Sequence, residues 1–293
     1  MPAVICGSLA FDTIMNFEGQ FSQQILPHQL HILNVSFLVP SLRRDFGGCA
    51  GNIAYALKLL GGQPLPMATV GSDGGGYIER LQSLGISTEF VRRVDDSYTA
   101  QAMIMTDQDN NQITAFHPGA MMQAHITRIE PRSDIKLGII SPDGRDAMLQ
   151  HAEQFKAAGI PFVFDPGQGL PMFDGKELAA FIDQSTWVTV NDYEGKMLSE
   201  RTGWSSADIS RRVKGLVVTL GGDGCEVWID GEKTIVPPVK ASAVVDPTGC
   251  GDAWRGALLF GLEQGWSLAR CAELGNKVGA IKIASRGPQN YSL

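Results

Sequence analysis

The chain has 293 residues, 44% of them hydrophobic and 19% charged, with a formal net charge of −7. That balance supports a large buried core, argues against disorder and, with no dense Lys/Arg cluster, excludes nucleic acid as a partner. No apolar run reaches the roughly 18 residues of a membrane span, and the five Cys, an odd number without CxxC or zinc-finger spacing, read as the reduced thiols of a cytoplasmic protein.

The opening stretch MPAVICGSLAFD has neither the basic nor the long apolar region of a signal peptide. Within it Val4–Ile5 reads as a strand buried on both faces. GSLAFD, residues 7–12, reads as its end, which puts Asp12 at the C-terminal edge of a sheet. Met15–Phe46 is polar, contains Pro27 and Pro40, and has strand-like patches such as His31–Phe37. Helices are expected over Gly51–Leu60 and Ile78–Leu84. Tyr98–Phe116 alternates in a β manner, with a hairpin turn at Asp109–Asn110–Asn111. From there strands at Gly138–Ser141, Pro161–Phe164, Trp187–Val190 and Leu216–Leu220 alternate with helices at Arg145–Ala158, Gly175–Gln184, Tyr193–Thr202 and Ser206–Lys214. Cys250–Gly265 and Leu268–Ala284 are the helices of the last part.

Strand alternating with helix predicts an α/β fold with right-handed crossovers, a mostly parallel central sheet and helices on both faces. The chain reads as one domain over residues 1–293. Two segments, about 13–46 and about 97–118, break the rhythm and are expected to form a small β lid over the strand ends.

The segment richest in chemistry is VVDPTGCGDAWRGALLFGL, residues 244–262. Gly249, Cys250 and Gly251 precede Asp252 at the start of an apolar helix. Small residues let backbone approach a ligand, and a helix N-terminus points free N–H groups outward, which together make an anion site. A carboxylate on such a site fits a base that takes a proton from an attacking hydroxyl. Asp252 also fits a simple helix cap. A Walker A sequence, GxGxxG and HExxH are all absent, which excludes P-loop NTPases, the dinucleotide fingerprint and zincins. His28, His31, His117, His125 and His151 show no metal-ligand spacing.

DPTGCGDAWRG resembles the C-terminal signature of the ribokinase-like (PfkB) kinases, whose usual core is D-T-x-G-A-G-D. RRDFGGCAGNIAYALKLLGG, residues 43–62, resembles their G-G-x-x-x-N helix start, here Gly47, Gly48 and Asn52. VNDYEGKML carries Asn191 and Glu194 in the manner of their N-x-x-E motif. VVTLGGDGCEVW, residues 217–228, is similar to their T-x-G-x-x-G nucleotide strand and turn. The motifs stand in the family's order over nearly the whole chain. The departures are Cys250 for the common Ala, Trp254 for Phe, and Arg255 at a commonly small position.

The resemblance implies a ribokinase-like fold and an ATP-dependent kinase using Mg²⁺. It makes Asp252 the general base, with Gly249, Cys250 and Gly251 as the anion hole. It places Asp12, Gly47, Gly48 and Asn52 on the sugar hydroxyls, with an Asx turn as the other reading of Asp12. Glu194 would organise Mg²⁺ through water, a demand one carboxylate can meet; it also reads as a helix-start acid. Asn191, Thr219, Gly221 and Gly224 would meet the nucleotide, and Asn276, Gly279 and Ala280 would flank its adenine, or serve helix packing. Asp246, Thr248, Ser285 and Gly287 resemble the family's monovalent-cation loop, suited to K⁺.

For the acceptor, ITAFHPGAM (113–121) and FDPGQGLPMF (164–173) resemble bacterial members of the adenosine-kinase type. Phe116 in the lid then stacks on a base, or forms the lid's apolar underside. Adenosine is the expected acceptor, with ribose, another nucleoside or a fructose-type sugar as alternatives. A non-catalytic nucleotide- or sugar-binding module is the reading from another class. The partners implied are ATP and this small acceptor, with no nucleic acid and no membrane, in a monomer or a homodimer.

Overall fold

The computed structural model describes residues 2–25 and 31–293, so Pro27 and His28 lie outside the described residues. The strands are β1 (Pro2–Cys6), β2 (Ala10–Asn16), β3 (Ser41–Gly47), β4 (Gln63–Gly71), β5 (Val91–Val94), β6 (Ala100–Thr106), β7 (Gln112–His117), β8 (Leu137–Ile140), β9 (Phe162–Phe164), β10 (Trp187–Asn191), β11 (Gly215–Thr219), β12 (Cys225–Ile229) and β13 (Glu232–Val236). The helices are α1 (Phe21–Gln24), α2 (Cys49–Leu59), α3 (Gly75–Ser83), α4 (Arg145–Ala158), α5 (Gly175–Gln184), α6 (Asp192–Thr202), α7 (Ser206–Ser210), α8 (Cys250–Glu263) and α9 (Leu268–Lys282).

Among the described residues the strands form a nine-stranded sheet, in the order β13-β12-β11-β10-β9-β8-β1-β4-β5, and a four-stranded sheet, β3-β2-β6-β7. In the large sheet every pair from β11 to β5 is parallel, and β12 and β13 add an antiparallel edge. This is the expected ribokinase-like α/β architecture with helices flanking a mostly parallel sheet. Period-2 alternation feeds two cores: Ala3 and Ile5 of β1 pack into one, under α2 and α8, while Val4 and Cys6 pack into the other, under α4 and α5.

Helices α4 and α5 have the expected bounds, while α7 is shorter than expected and ends at Ser210. Beyond it the Lys214 N–H already donates to the Thr186 carbonyl at 2.8 Å, so the chain is turning into β11.

Strands β4 and β5 are not evident in the sequence, because Pro64 and Pro66 lie within β4. The Ala68 N–H points to the Phe90 carbonyl on the β5 side, and strand alternation aims the proline nitrogens the same way. Pairing to β5 begins only at Ala68, so neither proline removes a ladder bond.

Two expectations are corrected at the smaller sheet. His31–Phe37 is not a strand: residues 33–39 have no regular structure. The free edge of β2 is taken instead by β3, paired antiparallel from Asn16–Ser41 to Ala10–Gly47. Asp12 is not at the end of a main-sheet strand either. β1 stops at Cys6, the chain turns through Gly7–Leu9, and Asp12 sits in β2 of the smaller sheet. The hairpin turn is where it was expected. Asp107 Oδ1 accepts the N–H groups of Asp109 and Asn111 at 3.0 and 2.8 Å, and Asn110 has φ +61°.

The smaller sheet meets the large body at Gly47–Gly48. The Tyr77 hydroxyl donates to the Gly47 carbonyl at 2.6 Å. Gly48 has φ +83° and ψ 142°, and a Cβ there would lie 2.5 Å from the Ser8 carbonyl oxygen. Backbone in that region is nearly restricted to glycine, and forcing another residue into it costs about 1–3 kcal/mol before the clash is counted. Gly48→Ala is therefore expected to lower unfolding free energy in urea by at least about 2 kcal/mol. Gly75→Ala in α3, where a Cβ meets nothing within 4 Å, is the control and should be neutral or stabilising. Equal midpoints for the two variants would refute this account of the junction.

Candidate active site

Two helix N-termini converge at the centre of the molecule. Gly249, at φ +76°, caps α8, and Gly48 caps α2. The two helices run in close contact: a Cβ on Gly256 would lie 2.5 Å from the Ala56 methyl. That approach brings Asp252, in the first turn of α8, to Asn52, in the first turn of α2. The Asn52 Nδ2 donates to Asp252 Oδ2 at 2.8 Å. Helix geometry leaves first-turn N–H groups outward. That of Cys250 is taken by the Pro247 carbonyl at 3.1 Å; those of Gly251 and Asp252 sit at the positive end of the helix dipole.

Asn52 has a framework role that the sequence did not reveal. It is buried, and both ends of its amide are engaged: Oδ1 accepts from Gln289 Nε2 at 3.0 Å. The same Gln289 amide donates to the Tyr77 hydroxyl at 2.9 Å. A chain of buried polar groups thus runs from Asp252 through Asn52, Gln289 and Tyr77 to the Gly47 carbonyl. It orients the carboxylate, with one N–H of the Asn52 amide committed to Asp252.

Burial pushes the Asp252 carboxyl up to about 6, against the opposing pull of the Asn52 hydrogen bond and the Arg255 charge. Burial also pushes Asp12 up to about 6, helped by the neighbouring carboxylates of Asp45, Asp252 and Asp246. Gly47 is what makes room for Asp12, since a Cβ there would lie 2.3 Å from Asp12 Oδ2. Register puts Asp45, Asp12, Ala102 and Phe116 in one row across the smaller sheet, so their side chains share a face. Phe116 is exposed on that face, two strand spacings from Asp12, roughly 10 Å, with only the Ala102 methyl between. His117, next along β7, points to the opposite face.

Arg255, a departure from the family pattern, forms a buried bidentate ion pair with Asp165: Nε and Nη2 donate at 2.6 and 2.7 Å. Its Nη1 donates to the Gly251 carbonyl at 3.3 Å, and Nη2 lies 3.8 Å from Glu194 Oε2. Asn191 and Glu194 form a reciprocal cap on α6: Asn191 Oδ1 accepts the Glu194 N–H at 2.7 Å, and Glu194 Oε2 accepts the Asn191 N–H at 2.8 Å. Burial raises the Glu194 carboxyl, with Asp165 adding to it. The other carboxylate oxygen, Oε1, has no part in the cap and fits acceptance from a metal-bound water. The helix-start role of Glu194 is thus seen directly.

On the other side of α8 lies a cavity of about 670 Å³. Cys250 and Gly251 form one wall, and Thr219, Gly221 and Gly224 another. Gly279 and Ala280 line it as well, and a Cβ on Gly279 would come only within 3.9 Å of the Cys250 carbonyl, so small residues here leave open space. Asn276 lines the cavity but is also a framework tie, accepting from Trp254 Nε1 at 3.0 Å and donating to the Pro237 carbonyl at 2.9 Å. Asn191 does not line it. Burial pushes the Cys250 thiol up to about 11, which makes it unreactive as a nucleophile. Asp246 Oδ1 accepts the Thr248 N–H and Oδ2 the Gly287 N–H, both at 2.9 Å. Burial opposes these bonds, but together they hold the Asp246 carboxyl below its usual range.

Arg255, Asp165, Gln289 and Tyr77 are the site residues that sequence reasoning did not assign. Asp165 had a signal, an Asp directly after a strand in FDPG, and Arg255 stood out as a departure at a commonly small position.

A carboxylate on a glycine-lined helix start, opening onto a cavity of nucleotide size, belongs to a phosphotransferase that holds phosphate on backbone dipoles. The chain belongs to the pfkB family of carbohydrate kinases, whose model matches residues 20–293. It is similar to the nucleoside kinase of Burkholderia thailandensis in complex with inosine, with 52% identity over 99% of this chain and 93% of that one, and a TM-score of 0.89. It is also similar to the nucleoside kinase of Methanocaldococcus jannaschii, 31% identical over 99% of this chain and 93% of that protein. The adenosine kinase of Sinorhizobium meliloti shares the fold, with a TM-score of 0.76 at 23% identity over 98% of this chain and 95% of that one. Among the described residues no helix is long and apolar enough to cross a membrane.

The buried pair should be fragile to single truncation. Arg255→Met leaves the buried Asp165 without its partner, and is expected to cost about 3–5 kcal/mol in unfolding free energy. Adding Asp165→Asn should recover more than half of that loss. A double variant no more stable than Arg255→Met would show that the two residues are not coupled.

Proposed function

We propose that the protein is an ATP-dependent nucleoside kinase that phosphorylates the 5′-hydroxyl of a purine nucleoside, with adenosine as acceptor, giving AMP and ADP. The observation that carries this reading is the shared face of the smaller sheet, where Asp12 and Phe116 stand about one nucleoside length apart, roughly 10 Å. This face acts as a lid. Asp12 holds the ribose diol, and Phe116 stacks on the base. The complex of the Burkholderia enzyme with inosine supports a nucleoside, and widens the expected acceptors from adenosine to purine nucleosides generally. Another structure of that enzyme, in complex with ADP-inosine, supports a nucleotide in the cavity beside α8.

Asp252, aimed by Asn52, takes the proton from the 5′-hydroxyl as it attacks. The N–H groups of Gly251 and Asp252 hold the transferring phosphoryl group in the anion hole with Gly249 and Cys250. Arg255 ties that turn to Asp165. Thr219, Gly221, Gly224, Gly279 and Ala280 receive the nucleotide, and Asn276 braces the wall. Magnesium, when bound, neutralises phosphate charge, and Glu194 is the carboxylate that reaches its waters.

Both working carboxyls are pushed up to about 6 by burial and act as carboxylates. Protonation switches them off, so kcat/KM should fall as pH drops through about 6, more steeply than a single proton allows. Asp12→Asn should leave a one-proton slope. Asp252→Asn should lower kcat by about 10²–10⁴-fold while ATP still binds. A profile flat to pH 5, about one unit below either group, would remove both carboxylates from the reaction.

The acceptor is decided by comparing adenosine, inosine, guanosine, cytidine, ribose and fructose with MgATP. Purine nucleosides should exceed ribose in kcat/KM by about 10-fold or more, the worth of one base–aromatic stack. If ribose or fructose wins, Phe116 is a packing residue and the nucleoside reading fails while the kinase survives.

A further inference from the structure

Behind the anion-binding turn the chain carries its own cation. Lys282, in the last turn of α9, is wholly buried. Its Nζ donates to the carbonyl of Asp246 at 2.7 Å and to that of Ser285 at 3.1 Å. Those carbonyls come from the two segments, 246–248 and 285–287, that by family resemblance would hold a monovalent ion. The segments are clamped together by backbone as well: the N–H groups of Val245 and Asp246 both donate to the Ile283 carbonyl, at 2.9 and 3.1 Å.

The remaining oxygens do not fit a bare ion. Both oxygens of the Asp246 carboxylate face N–H donors, and Arg43 Nη2 lies 3.6 Å from Oδ2. A free cation sharing the two carbonyls would sit against the Lys282 ammonium and near the Arg43 guanidinium, with like charges in a poorly hydrated place. Burial draws the Lys282 ammonium below the ordinary lysine range, while the Asp246 and Asp45 carboxylates favour its charge.

We propose that the Lys282 ammonium is a resident cation in the place of a monovalent metal ion, and that it makes phosphoryl transfer independent of K⁺. The inference rests on the kinase reading of the α8 turn. Asp246 begins the turn that runs through Thr248 to the Gly249 cap, so an ammonium on its carbonyl fixes the turn from behind. It also adds positive charge at the end of α8 where phosphate charge develops. Three donors on a covalent tether need no ion from solution.

The test is turnover of the full-length enzyme in buffers whose only monovalent cation is tetramethylammonium, with K⁺ then titrated in, alongside thermal melts in the same series. The wild type should be flat in both readouts. Lys282→Met should lose about 10–10²-fold in kcat, and K⁺ or NH₄⁺ should restore part of the loss and raise its melting midpoint. Saturable activation or thermal stabilisation of the wild type by K⁺ would overturn the proposal. So would a folded Lys282→Met with undiminished kcat and no response to K⁺, which would make Lys282 a packing residue. If Lys282→Met does not fold, the wild-type titration alone decides. If no acceptor is turned over, the kinase reading fails, and the K⁺ melts of the wild type still judge the cation.

Discussion

The Arg255–Asp165 ion pair is the contact on which the site's geometry depends. One guanidinium joins the end of β9, the start of α6 and the first turn of α8, through Asp165, Glu194 and the Gly251 carbonyl. These elements are far apart in sequence and each could pack with some freedom against the sheet. A planar, five-donor group in a fixed fork removes that freedom. It also sits where its charge opposes the rise that burial imposes on Asp252. Buried ion pairs are poor sources of net stability, and their best-attested use is to specify arrangement. That is the use seen here.

The second constraint is the division of labour between two sheets. The large parallel sheet supplies rigidity and opens its C-terminal strand ends to α2, α6 and α8. The four-stranded sheet supplies Asp12 and Phe116 on one face and is joined to the body at Gly47–Gly48. The polar chain Asp252–Asn52–Gln289–Tyr77–Gly47 connects the first turn of α8 to that junction. Displacement of the smaller sheet would therefore be felt at the Asp252 carboxylate, through a continuous run of hydrogen-bonded side chains.

What could be read from the sequence follows from how local each signal is. Gly249, Gly251 and Asp252 are adjacent in the chain, so a glycine turn and a helix start declare themselves together. The same holds for the Asn191–Glu194 cap and for the Asp109–Asn111 hairpin turn. Asn52 was legible as a polar residue at a helix start, but not its partner, because Asp252 comes 200 residues later. Arg255 and Asp165 stand 90 residues apart, and neither segment alone says that it needs the other. Gln289 and Lys282 had no local signature at all; a lysine in a last helical turn usually serves the dipole. β4 was hidden by its prolines, and His31–Phe37 was over-read because alternation cannot say whether an edge is free to pair.

Those prolines have a meaning beyond concealment. β5 covers only the second half of β4, so the first half of β4 has no strand partner on that side, although Pro64–Met67 are buried in the folded protein. A bare margin is a template on which another chain can add a strand, and parallel sheets form slowly enough to expose one while folding. Pro64 and Pro66 turn toward that side the two positions that cannot donate. A margin with two missing donors is a poorer template for such a strand, and the gap costs the folded state none of its own hydrogen bonding.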